Sequence, residues 1–208
     1  KQIIGVKYEG YNITGRFENA YIKYDGKNVN FLIGRTPIEW GLKNFSIIHN
    51  MFLPSFDHFK VGLKFWGFEG NLIHGQLGSE FMGGKRISRF FSGHRLTKQL
   101  LKDKIVISIG EQLIYTGENR SLELIYLNPF VPYFFAALEN DDVNITVNNE
   151  NISVLEYNND NSMIFSSIYF HLSKKLLVYF EFILDDYQIN PDPRQDMLGW
   201  KIGMNGGL

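Results

Sequence analysis

The chain contains no cysteine, which removes disulfide frameworks, thiolate nucleophiles and thiolate metal sites together. Proline is scarce, at 6 in 208 residues. No apolar run approaches the roughly 18 to 20 residues that a transmembrane helix needs, so a helical membrane protein is excluded. Charge of one sign is lacking as well: 21 basic and 22 acidic residues leave a net charge of -1. There is no basic footprint for nucleic acid and no polybasic patch for an anionic leaflet, and no nucleic-acid partner is expected. No glycine motif cradles phosphate and no G-x-S-x-G elbow presents a nucleophile. The histidines, His49, His58, His74, His94 and His171, show no ligand spacing. Neither a metal nor another cofactor is expected.

What is present points to β-structure. Hydrophobic residues make up 44% and aromatics 15%, with 18 Phe, 11 Tyr and 20 Gly. That composition excludes disorder and is rich in strand formers. Period-2 alternation recurs far more strongly than any helical period. In the 104–115 stretch Ile105, Ile107, Ile109, Leu113 and Tyr115 share one face, with Glu111 the exception, opposite a mixed face of Lys104, Ser108, Gly110 and Gln112 beside Val106 and Ile114. Ile164, Ile168, Phe170 and Leu172, with Ser166 the exception, alternate with Ser167, Tyr169 and His171. The following stretch sets Leu176, Val178, Phe180, Phe182 and Leu184 against Tyr179, Glu181 and Asp185, and Val61, Leu63 and Phe65 stand against Lys60, Gly62 and Lys64.

Short and long connections alternate. Tight turns are predicted at Asp25–Asn28, Gly67–Asn71, Lys102–Lys104 and Ser173–Lys175, with long excursions over about Thr36–His58, Met82–Arg89 and Thr116–Asp160. A soluble sandwich has no reason to gather its short turns at one end. An outer-membrane barrel does, with short periplasmic turns, long external loops and strands of roughly ten residues. On this reading Lys174 and Lys175 sit in water beyond the bilayer edge, with neighbouring Phe and Tyr as an interfacial girdle. The other reading is an edge-protected hairpin of a soluble sheet, where Lys is the usual guard. The expected fold is all-β: one antiparallel transmembrane β-barrel domain over residues 1–208, partial, with about ten to eleven strands of a larger barrel. The chain opens at Lys1 without an initiator Met and stops in what reads as an interrupted strand, so it is taken as a fragment.

Four stretches resemble the Wzi-type capsule assembly proteins, a family of bacterial outer-membrane β-barrels. They are "FLIGRTPIEWGLKNFSIIHNMFLPSFDHFKVGLKF" (31–65), "ISRFFSGHRL" (87–96), "IGEQLIYTGENRSLELIYLNPFVPYFFA" (109–136) and "NDNSMIFSSIYFHLSKKLLVYFEFILDDYQI" (159–189). Their order and spacing agree from about Gly15 onward. One departure follows Trp40-Gly41, where Leu42-Lys43-Asn44-Phe45 replaces an expected glycine-rich or Pro-Gly turn. The resemblance implies a bacterial outer-membrane location and a lectin-like anchor for capsular or other surface polysaccharide, in contact with outer-membrane lipid, rather than an enzyme.

Candidate ligand residues follow. A lumen-facing His94-Arg95 pair, at the start of a strand after a long loop, is suited to sugar hydroxyls or an acidic-sugar carboxylate, since Arg makes bidentate charge-assisted bonds. A structural network of charges filling the interior is the alternative, and the same holds for Arg35, Glu39 and Arg89. In "YLNPFVPYFF" (126–135) two prolines stiffen a loop whose Tyr126, Phe130, Tyr133 and Phe134, with Asn128, can stack on and bond to pyranose rings. The same loop can instead fold into the lumen or pack over the barrel mouth. Asp185 and Asp186 are strand neighbours, point to opposite faces and do not converge as an acid–base pair. The sequons at Asn12, Asn44, Asn119, Asn144 and Asn151 arise easily in an asparagine-rich chain. Two rival functions remain: a porin-like channel for small solutes, favoured by an open lumen rather than one plugged by 116–160, and a soluble β-protein holding ligand in a cup.

Overall fold

The protein is described here by a computed structural model covering residues 7–10, 13–41, 46–49, 54–133, 159–185 and 197–206. Its strands are β1 (Lys7–Gly10), β2 (Ile13–Arg16), β3 (Ala20–Asp25), β4 (Val29–Thr36), β5 (Phe56–Phe65), β6 (Phe68–Met82), β7 (Lys85–Leu100), β8 (Ile105–Glu118), β9 (Asn159–Ser173), β10 (Leu176–Asp185) and β11 (Met197–Gly206). A 3-10 turn spans Leu124–Leu127. Among the described residues β1 and β2 pair only with each other, while β3 to β11 form a single antiparallel sheet in which every strand neighbours the next in sequence. The sheet is not closed: among the described residues β3 and β11 each pair on one side only.

Successive strand side chains point to opposite faces, so the register sorts the whole sheet. One row runs Ile202–Phe180–Ile168–Ile107 and on through Lys98 to Phe68 and Phe65. The next runs Trp200–Phe182–Ser166–Ile109–Leu96–Gly70–Leu63–Val29. These rows form an apolar face, and Ile22, Leu63, Ile109, Trp200 and Ile202 on it are exposed. The opposite face carries the row Lys201–Glu181–Ser167–Ser108–Thr97–Glu69–Lys64, polar at every position across seven strands. The apolar side of the sheet is thus the more open one and the polar side the better covered.

Tight turns gather at one end of the sheet, at Gly26–Asn28, Trp66-Gly67, Leu101–Lys104 and Lys174-Lys175. The second comes earlier than the predicted Gly67–Asn71, because Trp66 (φ 48°) and Gly67 (φ 73°) together adopt the left-handed pair that a two-residue hairpin requires. At the other end stand the strand ends Thr36 and Phe56, Glu118 and Asn159, and Asp185 and Met197. The long excursion expected over Met82–Arg89 is corrected: Gly83 (φ 58°) and Gly84 (φ 81°) make a two-residue hairpin, and β6 and β7 run straight up to it. β6 to β9 span 15, 16, 14 and 15 residues, against 10 for β5, β10 and β11. The longer strands project past the apolar band, which explains why their upper portions lose the alternation that marks the rest.

Candidate functional site

Two loop segments fold back onto the projecting part of the sheet, one on each face. On the polar face, residues 38–41 and 46–49 form a strap. Ile38, Trp40 and Ile48 join Phe56, Ile73, Phe91 and Phe165 in one buried cluster. Trp40 lies with its ring centroid 5.4 Å from Phe165 and 5.6 Å from His49, and the Arg95 guanidinium sits 5.8 Å from its ring. Gly93 makes room for it, since a Cβ there would come within 2.5 Å of the indole. Polar ties complete the strap. Arg95 donates to the Trp40 carbonyl. The Ile47 amide donates to Glu181 Oε2 at 2.8 Å, and Tyr169 donates to Glu181 Oε1 at 2.7 Å. Glu181 is fully buried, and these two charge-assisted bonds satisfy both its oxygens. His49 Nε2 donates to Gln112 Oε1. Burial pushes the His49 imidazole down to about 4, with the Arg95 charge adding to that and the Gln112 bond opposing it. A cavity of about 180 Å³ opens beside the strap, lined by Ile38, His49, Phe56, Phe91, Gln112 and Ile114.

On the apolar face, residues 119–133 cover the top of β6 to β9. Tyr126, Tyr133 and partly Val131 pack onto Phe90, Leu113 and Tyr115. The Leu-Asn-Pro-Phe segment is shaped locally: Asn128 Oδ1 accepts the Phe130 amide at 3.0 Å, an Asx turn held by the fixed φ of Pro129. Ser92 and Tyr133 both donate to the Tyr126 carbonyl, at 2.7 and 3.0 Å. The Tyr133 amide donates to Glu111 Oε2 at 2.7 Å. Arg120 grips Glu123 through Nε at 2.7 Å and also pairs with Asp160, which accepts the Tyr126 hydroxyl at 2.6 Å. Burial lowers the Arg120 pKa, but the bonds and charges of Glu123 and Asp160 outweigh it and raise the net value. Burial likewise raises the Tyr133 phenol. An open cleft of about 530 Å³ beside this segment is lined by Gln76, Arg86, Ser88, Phe90, Asn119 and Arg120.

The residues singled out from sequence fall apart into different places. His94 and Arg95 are not at a strand start but in the middle of β7, because the Gly83-Gly84 hairpin moves the strand's beginning back to Lys85. As neighbours they point to opposite faces: Arg95 to the polar face and Trp40, His94 to the apolar face, where its ring lies 4.6 Å from that of Tyr133. They therefore do not act on one ligand together. Tyr126 and Tyr133 are fully buried, whereas Asn128 and Phe130 are exposed. Phe134 lies outside the described residues, as does the departing Leu42–Phe45 stretch. Arg35 is bound bidentately by Asp57, at 3.0 and 2.6 Å. Trp40, His49, Gln112 and Glu181 went unnoticed as a group. Only Glu181 leaves a trace in the sequence, as the single charge within the otherwise apolar and aromatic Val178–Leu184. Among the described residues no group of three or more His, Asp or Glu side chains is arranged to hold a metal ion. Comparison with protein-family models, with curated proteins and with solved structures yields no match.

Proposed function

We propose that the chain forms part of an outer-membrane β-barrel that binds or anchors capsular or other exported surface polysaccharide without catalysing a reaction. The observation that carries the membrane half is the inverted sheet, with an exposed apolar face backed by an uninterrupted polar row. From Leu176 to Leu184 the apolar band of β10 extends about 26 Å along the strand at about 3.3 Å per residue. At the tilt of about 40° usual in barrels that rises about 20 Å along the membrane normal, about two residues short of the apolar band of about 25 Å in outer-membrane proteins. Lys174 and Lys175 then lie in the periplasm. The polysaccharide half rests on the resemblance of the four stretches to the capsule assembly family. The strap across the polar face supports an anchor over an open pore.

The test is outer-membrane fractionation of the full-length gene product combined with polysaccharide retention in a deletion strain. Loss of the protein is expected to release polysaccharide into the medium. Retention unchanged by the deletion refutes the anchor. A channel for small solutes is the second reading, favoured by Lys60, Glu69, Arg95 and Lys201 on the polar face. Steady conductance in planar bilayers distinguishes it. A water-soluble fraction, with no heat-modifiable migration in detergent, refutes the barrel for both.

A further inference from the structure

The 119–133 segment lies on the apolar face, beside and above Ile107 and Ile109, and not over the polar face. Its inward side is occupied by Tyr126, Tyr133 and Val131. Its outward side is apolar too: Leu122, Leu124 and Ile125 are exposed, and Phe130 is 90% exposed. The segment's charged side chains, Arg120 and Glu123, are bound to each other, and Arg120 also to Asp160. What remains facing out is four large apolar side chains beside the uncharged polar groups of Asn119, Ser121 and Asn128. A solvated external loop gains nothing from that composition. An element lying in the plane of a membrane interface requires it, with its apolar side chains entering the headgroup and acyl boundary.

We propose that residues 119–133 form a lipid-contacting ledge on the outer side of the barrel wall, with Leu122, Leu124, Ile125 and Phe130 immersed in the interfacial region of the leaflet on the long-loop side. This rests on the barrel reading. The occupant is lipid because the ledge continues the same face as the exposed rows through Ile107 and Ile109. The ledge ties the projecting tops of β6 to β9 to the membrane and leaves the polar face to the strap.

These 208 residues hold no cysteine, so each variant introduces one thiol here, and any cysteine elsewhere in the full-length protein is first replaced by serine. Nitroxide labels at Phe130→Cys, Leu124→Cys, Ile107→Cys and Asp103→Cys are compared in the full-length protein, reconstituted in phosphatidylethanolamine–phosphatidylglycerol vesicles. Accessibility to oxygen and to a water-soluble nickel chelate is read by electron paramagnetic resonance. The expected result is oxygen-dominated relaxation at positions 107, 124 and 130 and nickel-dominated relaxation at 103. Oxygen at 107 with nickel at both 124 and 130 overturns the ledge and leaves the barrel standing, with those side chains facing solvent or a polymer. Nickel at 107 overturns the barrel reading and the ledge with it. Phe130 and Leu124 are exposed, so their substitution does not threaten folding.

Discussion

Removing the Trp40 side chain separates the strap from the sheet. The indole is 2% exposed and touches Phe165, His49 and Phe91. Truncating a buried Trp to Ala costs about 3–5 kcal/mol, and the contact with the Arg95 guanidinium is worth about 1 kcal/mol of its own. Against this stand the strap's remaining ties, chiefly the bonds to Glu181 and Gln112, each about 1.5–3 kcal/mol where a charge is involved and less where none is. The loss is confined to contacts between strap and sheet, since the ladders of β7 to β10 do not pass through Trp40. Trp40→Ala is therefore expected to raise the local opening constant of residues 46–49 by at least about 100-fold, the equivalent of about 3 kcal/mol. Hydrogen–deuterium exchange of the Ile47 and Ile48 amides reads that opening directly. The amides of β8 to β10 are expected to keep their protection. Unchanged exchange at Ile47 and Ile48 refutes the reasoning, because Trp40 is then not what holds the strap. Equal loss across the whole sheet refutes it as well, because strap and sheet then open as one unit.

Acid is expected to loosen the same strap through His49. Its pKa is about 4 in the folded protein, against 6.5 in an unfolded chain. The neutral ring's contribution is thus complete above about 6.5 and is lost as pH falls toward 4, by up to about 3 kcal/mol. Exchange at Ile47, corrected for intrinsic rates, is expected to accelerate across that window, and a His49→Gln variant is expected to lose most of that acceleration. Tyr126→Phe removes a bond to Asp160 while Asp160 keeps its pair with Arg120. A destabilisation of about 1.5–3 kcal/mol is expected in urea unfolding from detergent or vesicles, and no change there means the hydroxyl is not bonded as described. Gly93→Val drives a Cβ toward the indole and is expected to cost about 1–3 kcal/mol. Combined with Trp40→Ala its penalty is expected to fall to the smaller part set by Phe91 Cε1, 3.2 Å from that Cβ, and additive penalties in that double-mutant cycle contradict the clash.

The strands were readable where one face is apolar and the other is not. Leu176–Leu184 and Ile164–Leu172 show it most clearly, since a period of two across a two-faced sheet is written directly into the order of residues. Reading failed where strands rise past the band. In Lys85–Ser88 neither face is consistently apolar, so the alternation disappears, and the Gly83-Gly84 hairpin passed for part of a longer loop. That error placed His94 and Arg95 at a strand start. The strap was beyond reach for another reason: Ile47 meets Glu181 and Trp40 meets Arg95 across long stretches of chain, and a single sequence carries no period that relates them. The aromatic loop was found, but which of its rings turn inward depends on the Asx turn at Asn128 and on Ser92 and Glu111, contributed by other strands.

The Gly83-Gly84 tip has a practical side. A Cβ built on either glycine meets nothing within 4 Å, and the two residues sit at the summit of the paired β6 and β7 ladder. A short peptide tag inserted between them lengthens a turn whose two glycines face open space among the described residues, so the paired ladder below keeps its register. On the barrel reading proposed above, such a tag serves as a reporter for live cells: an antibody added from outside stains it only when the long-loop end faces outward.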